Sequence, residues 1–214
     1  MTPVDYRLVL FDFDGTLADS FTWFTYVVND AADRFGFRRV APQDIDMLRG
    51  KGAREVVAHL GVPFWKMPAI ASYMRARKAS DVAAIGLFDG TAGMLRQVRE
   101  AGRTLAIVSS NSEANVRAIL GPDTAALVHY YGCGVSVFGK AAQFKKALRH
   151  TGISAAQTLA VGDEIRDIDA ARTAGIAFGA VAWGYTLPEA LQAQRPQFIF
   201  HTMNDITTAL TPPR

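Results

Sequence analysis

The run Leu8-Val9-Leu10-Phe11 passes directly into Asp12-Phe13-Asp14-Gly15-Thr16, and no other stretch constrains the fold of this chain as strongly. Consecutive apolar residues without alternation fit a strand covered on both faces, as in the middle of a parallel sheet. The Gly-Thr pair predicts that the chain leaves the sheet at this point. Asp12 and Asp14 are thereby delivered to the carboxyl edge, where open α/β sheets bind their ligands. Two carboxylates so close repel each other unless a proton or a cation intervenes, and a hard cation such as Mg²⁺ prefers oxygen ligands. Asp-Gly is also a common surface turn pair, but a surface turn does not account for the apolar approach.

Three more stretches have the same character. Residues 103–112 read as an apolar strand ending in hydroxyls at Ser109 and Ser110, followed by Asn111 and Ser112. A hydroxyl and the backbone N–H groups after it suit an anionic oxygen, while Asn111 or Ser112 suits the cap of a helix over about 113–120. Lys140 follows Gly139 at the start of a helix predicted to run to about His150. Leu159-Ala160-Val161-Gly162 is again a short apolar strand, and it delivers Asp163; Asp167 comes four residues later, on the same face of a first helical turn.

The order Asp12-X-Asp14, Ser109, Lys140 and Gly162-Asp163-X-X-X-Asp167 resembles the four motifs of the haloacid dehalogenase superfamily, and the resemblance spans residues 8 to 170. It implies an α/β fold, a Rossmann-like doubly wound parallel sheet. It also implies roles. Asp12 is the nucleophile that becomes phosphorylated, and Asp14 is the general acid and base. Mg²⁺ is held by Asp12, the backbone carbonyl of Asp14, and Asp163. Ser109 and Lys140 hold phosphoryl oxygens, with Ser110 and Asn111 beside them, and Asp167 supports Lys140 or the metal. Glu164 departs from the small hydroxyl residue more common after the first Asp of the last motif. The activity implied is hydrolysis of a small phosphorylated metabolite. A sugar phosphomutase would use the same core residues, and a non-catalytic phosphate-binding module is a third reading. Haloacid dehalogenation fits poorly, because those relatives lack the second Asp.

About 70 residues separate the first motif from Asp89-Gly90, too many for an ordinary loop. Phe21, Phe24, Val28, Ala31 and Phe35 recur at helical steps, with Ser20 as a cap and Gly36 as a stop, and shorter helices are expected over 42–48, 54–60 and 63–78. The pattern resembles the small helical cap of the phosphoglycolate-phosphatase-like branch. It divides the chain into an α/β core of residues 1–17 and 87–214 and an all-helical cap domain of residues 18–86. Within the insertion, Leu48-Arg49-Gly50-Lys51-Gly52-Ala53-Arg54 sets cations around two glycines, and Arg49 and Lys51 are expected to bind the part of the substrate that the core does not see. Downstream, helices near 91–101 and 113–120 alternate with strands near 104–109, 126–130, 177–182 and 198–200.

With 214 residues, half of them hydrophobic, the chain can bury one substantial core and a small satellite. No apolar run approaches a membrane span, and the amino terminus lacks the basic and apolar regions of a secretion signal. The lone Cys133 precludes an internal disulfide and fits a reducing cytosol, so a cytoplasmic protein is expected. His59, His129, His150 and His201 lack metal-ligand spacing. The net charge of +3 and pI near 9.1 are carried by groups such as Arg75, Arg77 and Lys78, which read as solvated helix faces rather than a nucleic-acid site. The expected partners are therefore a small phosphorylated metabolite, neither nucleic acid nor membrane, and at most a second copy of the chain, as a monomer or homodimer.

Overall fold

The computed structural model describes residues 4–136 and 139–211; residues 1–3 and 212–214, which the expected core boundaries include, lie outside the described residues. The first strand, β1 (Leu8–Phe11), is buried along its whole length. It pairs in parallel with β4 (Thr104–Val108) on one side and β6 (Thr158–Gly162) on the other, with Leu10 opposite Ala106 and Ala160. With β5 (Tyr130–Gly132), β7 (Ala177–Val181) and β8 (Phe198–Phe200), these strands form one six-stranded parallel sheet in the order β5-β4-β1-β6-β7-β8.

The continuous apolar run in β1 follows from cover on both faces. Val9 and Phe11 pack with Met94, Leu95 and Val98 of α5 (Thr91–Glu100), Val116 of α6 (Glu113–Ala125), and Ile206 of α10 (Met203–Leu210). Leu8 and Leu10 point to the other face, among Phe144 of α7 (Lys140–Thr151), Ile168 of α8 (Ile165–Ala174) and Leu191 of α9 (Pro188–Ala193). Each such side chain contributes about 1.5–3 kcal/mol of burial. One polar residue in β1 would forfeit that on whichever face it met.

Between β1 and β4 the chain leaves the core and returns. β2 (Ala18–Asp19) and β3 (Gly86–Leu87) pair antiparallel, Ala18 opposite Leu87, and form a two-stranded stem. Beyond it lie α1 (Phe21–Phe35), α2 (Ile45–Arg49), α3 (Ala53–His59) and α4 (Met67–Ser80), with short 3₁₀ turns between them. Gly36 stops α1 in the left-handed region at φ 69°, its N–H donating to the Ala32 carbonyl.

Two local expectations are corrected. Ser20 makes no capping bond to α1, because its hydroxyl donates to Asp14 instead. The strand expected near 126–130 is β5, Tyr130–Gly132. Residues 126–128 instead close the end of α6 through turn bonds such as Leu127 N–H to the Thr124 carbonyl, and they bury Val128 and Leu127 against the core from that turn. The helix expected over 113–120 breaks at Gly121 (φ 72°, ψ 164°), and a further turn starts at Pro122 and runs to Ala125.

Candidate active site

The sheet order reverses direction at β1: the chain runs outward through β4 and β5 on one side and through β6, β7 and β8 on the other. The crevice at the carboxyl ends of β1, β4 and β6 is therefore the expected binding edge. Asp12 follows β1, Ser109 follows β4, Asp163 follows β6, and Lys140 and Asp167 occupy the first turns of α7 and α8. All five are buried. Asp163 itself lies ahead of α8 rather than on its first turn.

Lys140 lies at the centre. Its Nζ is 2.7 Å from Asp12 Oδ2 and 2.6 Å from Asp167 Oδ1. Burial alone would drive the ammonium toward neutrality, but Asp12 and Asp167 outweigh it and hold the lysine above its ordinary range. Burial likewise opposes the Asp12 charge, yet Lys140, Arg166 and the Phe13 N–H, which donates to Oδ1 at 2.7 Å, keep this carboxyl below the usual range. Asp12 is thus a buried carboxylate in its ionised form. That is the form a nucleophile requires.

The other two acids behave oppositely. Burial, followed by the charges of Glu164, Asp12 and Asp167, pushes Asp163 well up. Asp167 is raised to about 7, chiefly by burial and against the pull of Lys140. Asp12, Asp163 and Asp167 each offer a carboxylate oxygen, and these oxygens lie within 4.8 Å of one another. Asp167 Oδ2 is buried without a hydrogen-bond partner. An all-oxygen set of crowded carboxylates with an orphaned oxygen fits a hard divalent cation, which would relieve the repulsion that raises both acids.

Close packing fixes Asp163. Thr16 Oγ1 donates to Oδ1 at 2.7 Å and the Tyr185 N–H to Oδ2 at 2.8 Å. Gly15, at φ 79°, passes so near that a Cβ there would be 2.3 Å from Asp163 Oδ2. The glycine of the first motif therefore serves both the turn and the close approach.

Asp14 is not one of the three clustered acids and borders the space beneath the helical insertion. Its Oδ1 accepts from Ser20 at 2.9 Å and forms an ion pair with Lys78 of α4. Asn111 donates to Oδ2 at 3.4 Å. Burial and the Asp14 charge push the Tyr185 phenol well up, and with the Ser20 hydrogen given to Asp14, the Ser20 oxygen is left to accept from the phenol at 2.9 Å. Ser109 Oγ accepts from the Asn111 N–H at 3.1 Å, and Ser112, rather than Asn111, caps α6 by accepting from the Asn115 N–H at 3.2 Å. Ser110 and Asn111 line the same space as Asp14.

Arg49 and Lys51 also border it. Arg49, however, donates to the carbonyls of Tyr185 and Gly184 at 2.9 and 3.1 Å and lies 5.0 Å above the Phe21 ring. Lys51 is 3.8 Å from Glu55. In this conformation Arg49 joins the insertion to the loop after β7.

Sequence reasoning passed over three features. Lys78 read as one cation of a solvated face, and nothing local announces its buried contact with Asp14 or its place 4.5 Å over the Trp23 ring. Arg166, half-buried and paired with Glu164, gives the unusual Glu164 a role. The loop 183–186 carries no motif, and only its Trp-Gly-Tyr cluster hints at the tight packing around Asp163.

Comparison with known proteins agrees with this fold. The family model for haloacid dehalogenase-like hydrolases matches residues 9–181. A phosphoglycolate phosphatase of Synechococcus elongatus is 31% identical over 206 residues, covering 96% of this chain and 97% of that protein. One of Xanthomonas campestris is 32% identical over 195 residues, covering 85% of each. Among solved structures, a haloacid dehalogenase-like family hydrolase from Streptococcus pneumoniae has a TM-score of 0.76 at 19% identity, covering 94% of this chain and 97% of its own. CbbY from Rhodobacter sphaeroides, in complex with phosphate, has 0.70 at 21%, covering 94% and 96%. At those identities the structural likeness establishes the fold. The sequence match establishes the family: this chain is an enzyme belonging to the haloacid dehalogenase-like hydrolases, among their phosphoglycolate phosphatase-like members.

Proposed function

We propose that the chain hydrolyses phosphomonoesters of small metabolites in two steps through an aspartyl-phosphate at Asp12. The observation that carries this reading is the ionised Asp12, held by Lys140 at the sheet edge, with Asp14 two residues on at the border of the substrate space. In the first step an Asp12 oxygen attacks phosphorus, the ester P–O bond breaks, and Asp14 gives a proton to the departing alkoxide. In the second, Asp14 takes a proton from water as its oxygen attacks the same phosphorus, releasing phosphate and freeing Asp12. Lys140, the Ser109 hydroxyl and the N–H groups after it stabilise the charge that builds on the phosphoryl oxygens.

The cation is Mg²⁺ in this reading, held by Asp12 and Asp163 with the Asp14 carbonyl, and supported by Asp167. When bound, it offsets the repulsion between an anionic nucleophile and an anionic ester. Lys78, Ser20 and Asn111 hold the Asp14 carboxyl group in place, and Arg166 holds Glu164 beside the metal ligands. The Synechococcus relative makes phosphoglycolate the first substrate to test. The decisive variant is Asp12→Asn, nearly isosteric but unable to attack. It is expected to lower phosphate release by more than about a thousandfold, roughly 4 kcal/mol in barrier, with an unchanged circular dichroism spectrum. Activity within tenfold of the parent would remove Asp12 as nucleophile.

A further inference from the structure

The helical insertion is hollow on its inner side. Between α1–α4 and the sheet edge lies a cavity of about 320 Å³, at the lower end of the usual size for ligand sites. Its walls differ sharply in chemistry. Asp14, Lys78, Ser110 and Asn111 border it beside the catalytic edge, whereas Val56, Val57, Leu60, Ile70 and Met74 line the part enclosed by α3 and α4. No residue of α3 is fully buried, although Val56 and Val57 face inward on it. In a helical unit packed for stability alone, such side chains interdigitate and exclude space for a solute. Here they form a lined chamber continuous with Asp14.

Four of the five cations that border this chamber have partners elsewhere. Arg49 is held by the carbonyls of Gly184 and Tyr185, Lys51 faces Glu55, and Arg166 pairs with Glu164. Lys78 is paired with Asp14, and Arg75 sits one turn before it on α4, at the polar end. A carboxylate pushed past Arg75 into the part between α3 and α4 would therefore lose its water and meet valine, leucine and isoleucine.

We propose that the preferred substrate is a phosphomonoester of an apolar alcohol, alkyl or flat aromatic, whose phosphoryl group meets Asp12 while its hydrocarbon part fills the chamber walled by α3 and α4. This inference rests on the phosphatase reading given above and names its substrate class. The chamber supplies binding energy remote from phosphorus, and Asp14 lies where the chamber meets the catalytic edge, so the leaving oxygen passes its proton donor as the alcohol departs.

The test is kcat/KM, measured with Mg²⁺, for a series of n-alkyl phosphates from ethyl to hexyl, alongside phosphoglycolate. Each added methylene is expected to raise kcat/KM about three- to fourfold until the chamber is filled, and hexyl phosphate is expected to exceed phosphoglycolate. A flat or falling series, or phosphoglycolate preferred over hexyl phosphate, overturns the chamber assignment and leaves the phosphatase reading standing. Failure to release phosphate from any ester overturns the phosphatase reading, and the inference with it. Filling the chamber separates a substrate site from loose packing. Val57→Phe, or the milder Ala71→Leu if the first does not fold, is expected to lower the hexyl-to-ethyl ratio of kcat/KM at least tenfold. An unchanged ratio with a raised Tm would identify the space as a packing defect and overturn the inference.

Discussion

Gly184 shows how little room the catalytic edge allows a single residue. A Cβ at that position would stand 2.1 Å from Asp163 Cβ, an atom too close to the backbone to swing aside. Gly184→Ala is therefore expected to displace Asp163, whose oxygens are fixed by Thr16 and the Tyr185 N–H, and to lower phosphate release at least about a hundredfold. Overpacking should also cost about 1–3 kcal/mol of stability, read as a lower Tm. Turnover within threefold of the parent would mean that the loop yields instead. Cys133 illustrates the opposite case, a half-buried thiol held in its unreactive protonated form. Burial, followed by the nearby Glu113 charge, pushes its thiol up to about 12. At pH 8 only about one molecule in ten thousand carries the thiolate, so alkylation by iodoacetamide is expected to be negligible and to rise only as pH approaches the raised value. Rapid labelling at pH 8 would contradict that upward shift.

At the scale of elements, α4 acts as a strut between the helical insertion and the catalytic edge. Its Lys78 reaches Asp14, and the Arg75 carbonyl accepts from Asn115 at 3.0 Å, tying the middle of α4 to the first turns of α6. Lys78→Met keeps the aliphatic stem over Trp23 and removes the charge that holds Asp14. It is expected to lower kcat at least about tenfold and to shift the pH–rate profile, with partial rescue by Lys78→Arg. A loss confined to Tm would make Lys78 structural only. None of this was legible along the chain, because Lys78 meets its partner across 64 positions of sequence while its local setting, beside Arg75 and Arg77, is that of a solvated helix face. Asp12, Ser109 and Asp163 were legible for the converse reason. Each follows a strand so apolar that only a central position in a sheet explains it, and the strand's end then dictates where the polar group stands. Lys140 needed the order of the other three to be recognised. The misplaced β5 has a comparable cause: Leu127 and Val128 bury their side chains from a turn, and an apolar pair reads as strand whether the backbone beneath it is extended or not.

For the molecule as a whole, the three crowded carboxylates predict a cost that a cation would relieve. Mg²⁺ at a hundred times its dissociation constant should stabilise the native state by about 2.7 kcal/mol, or about 5–10 °C in Tm for a chain of this size. A thermal scan with and without chelator checks this independently of turnover, and an unchanged Tm would argue against a cation among Asp12, Asp163 and Asp167. Among the described residues, no helix is long and apolar enough to cross a membrane. The two-stranded stem has a different kind of consequence. Because Ala18 stands opposite Leu87 and Asp19 opposite Gly86, the outgoing and returning chain are side by side, and the core meets the same pair of endpoints whatever lies between them. Lengthening a loop adds only about 0.6 kcal/mol of closure entropy per doubling. Residues 20–85 are therefore the natural unit to exchange with a relative's insertion, provided that the donor keeps a serine and a lysine where Ser20 and Lys78 meet Asp14.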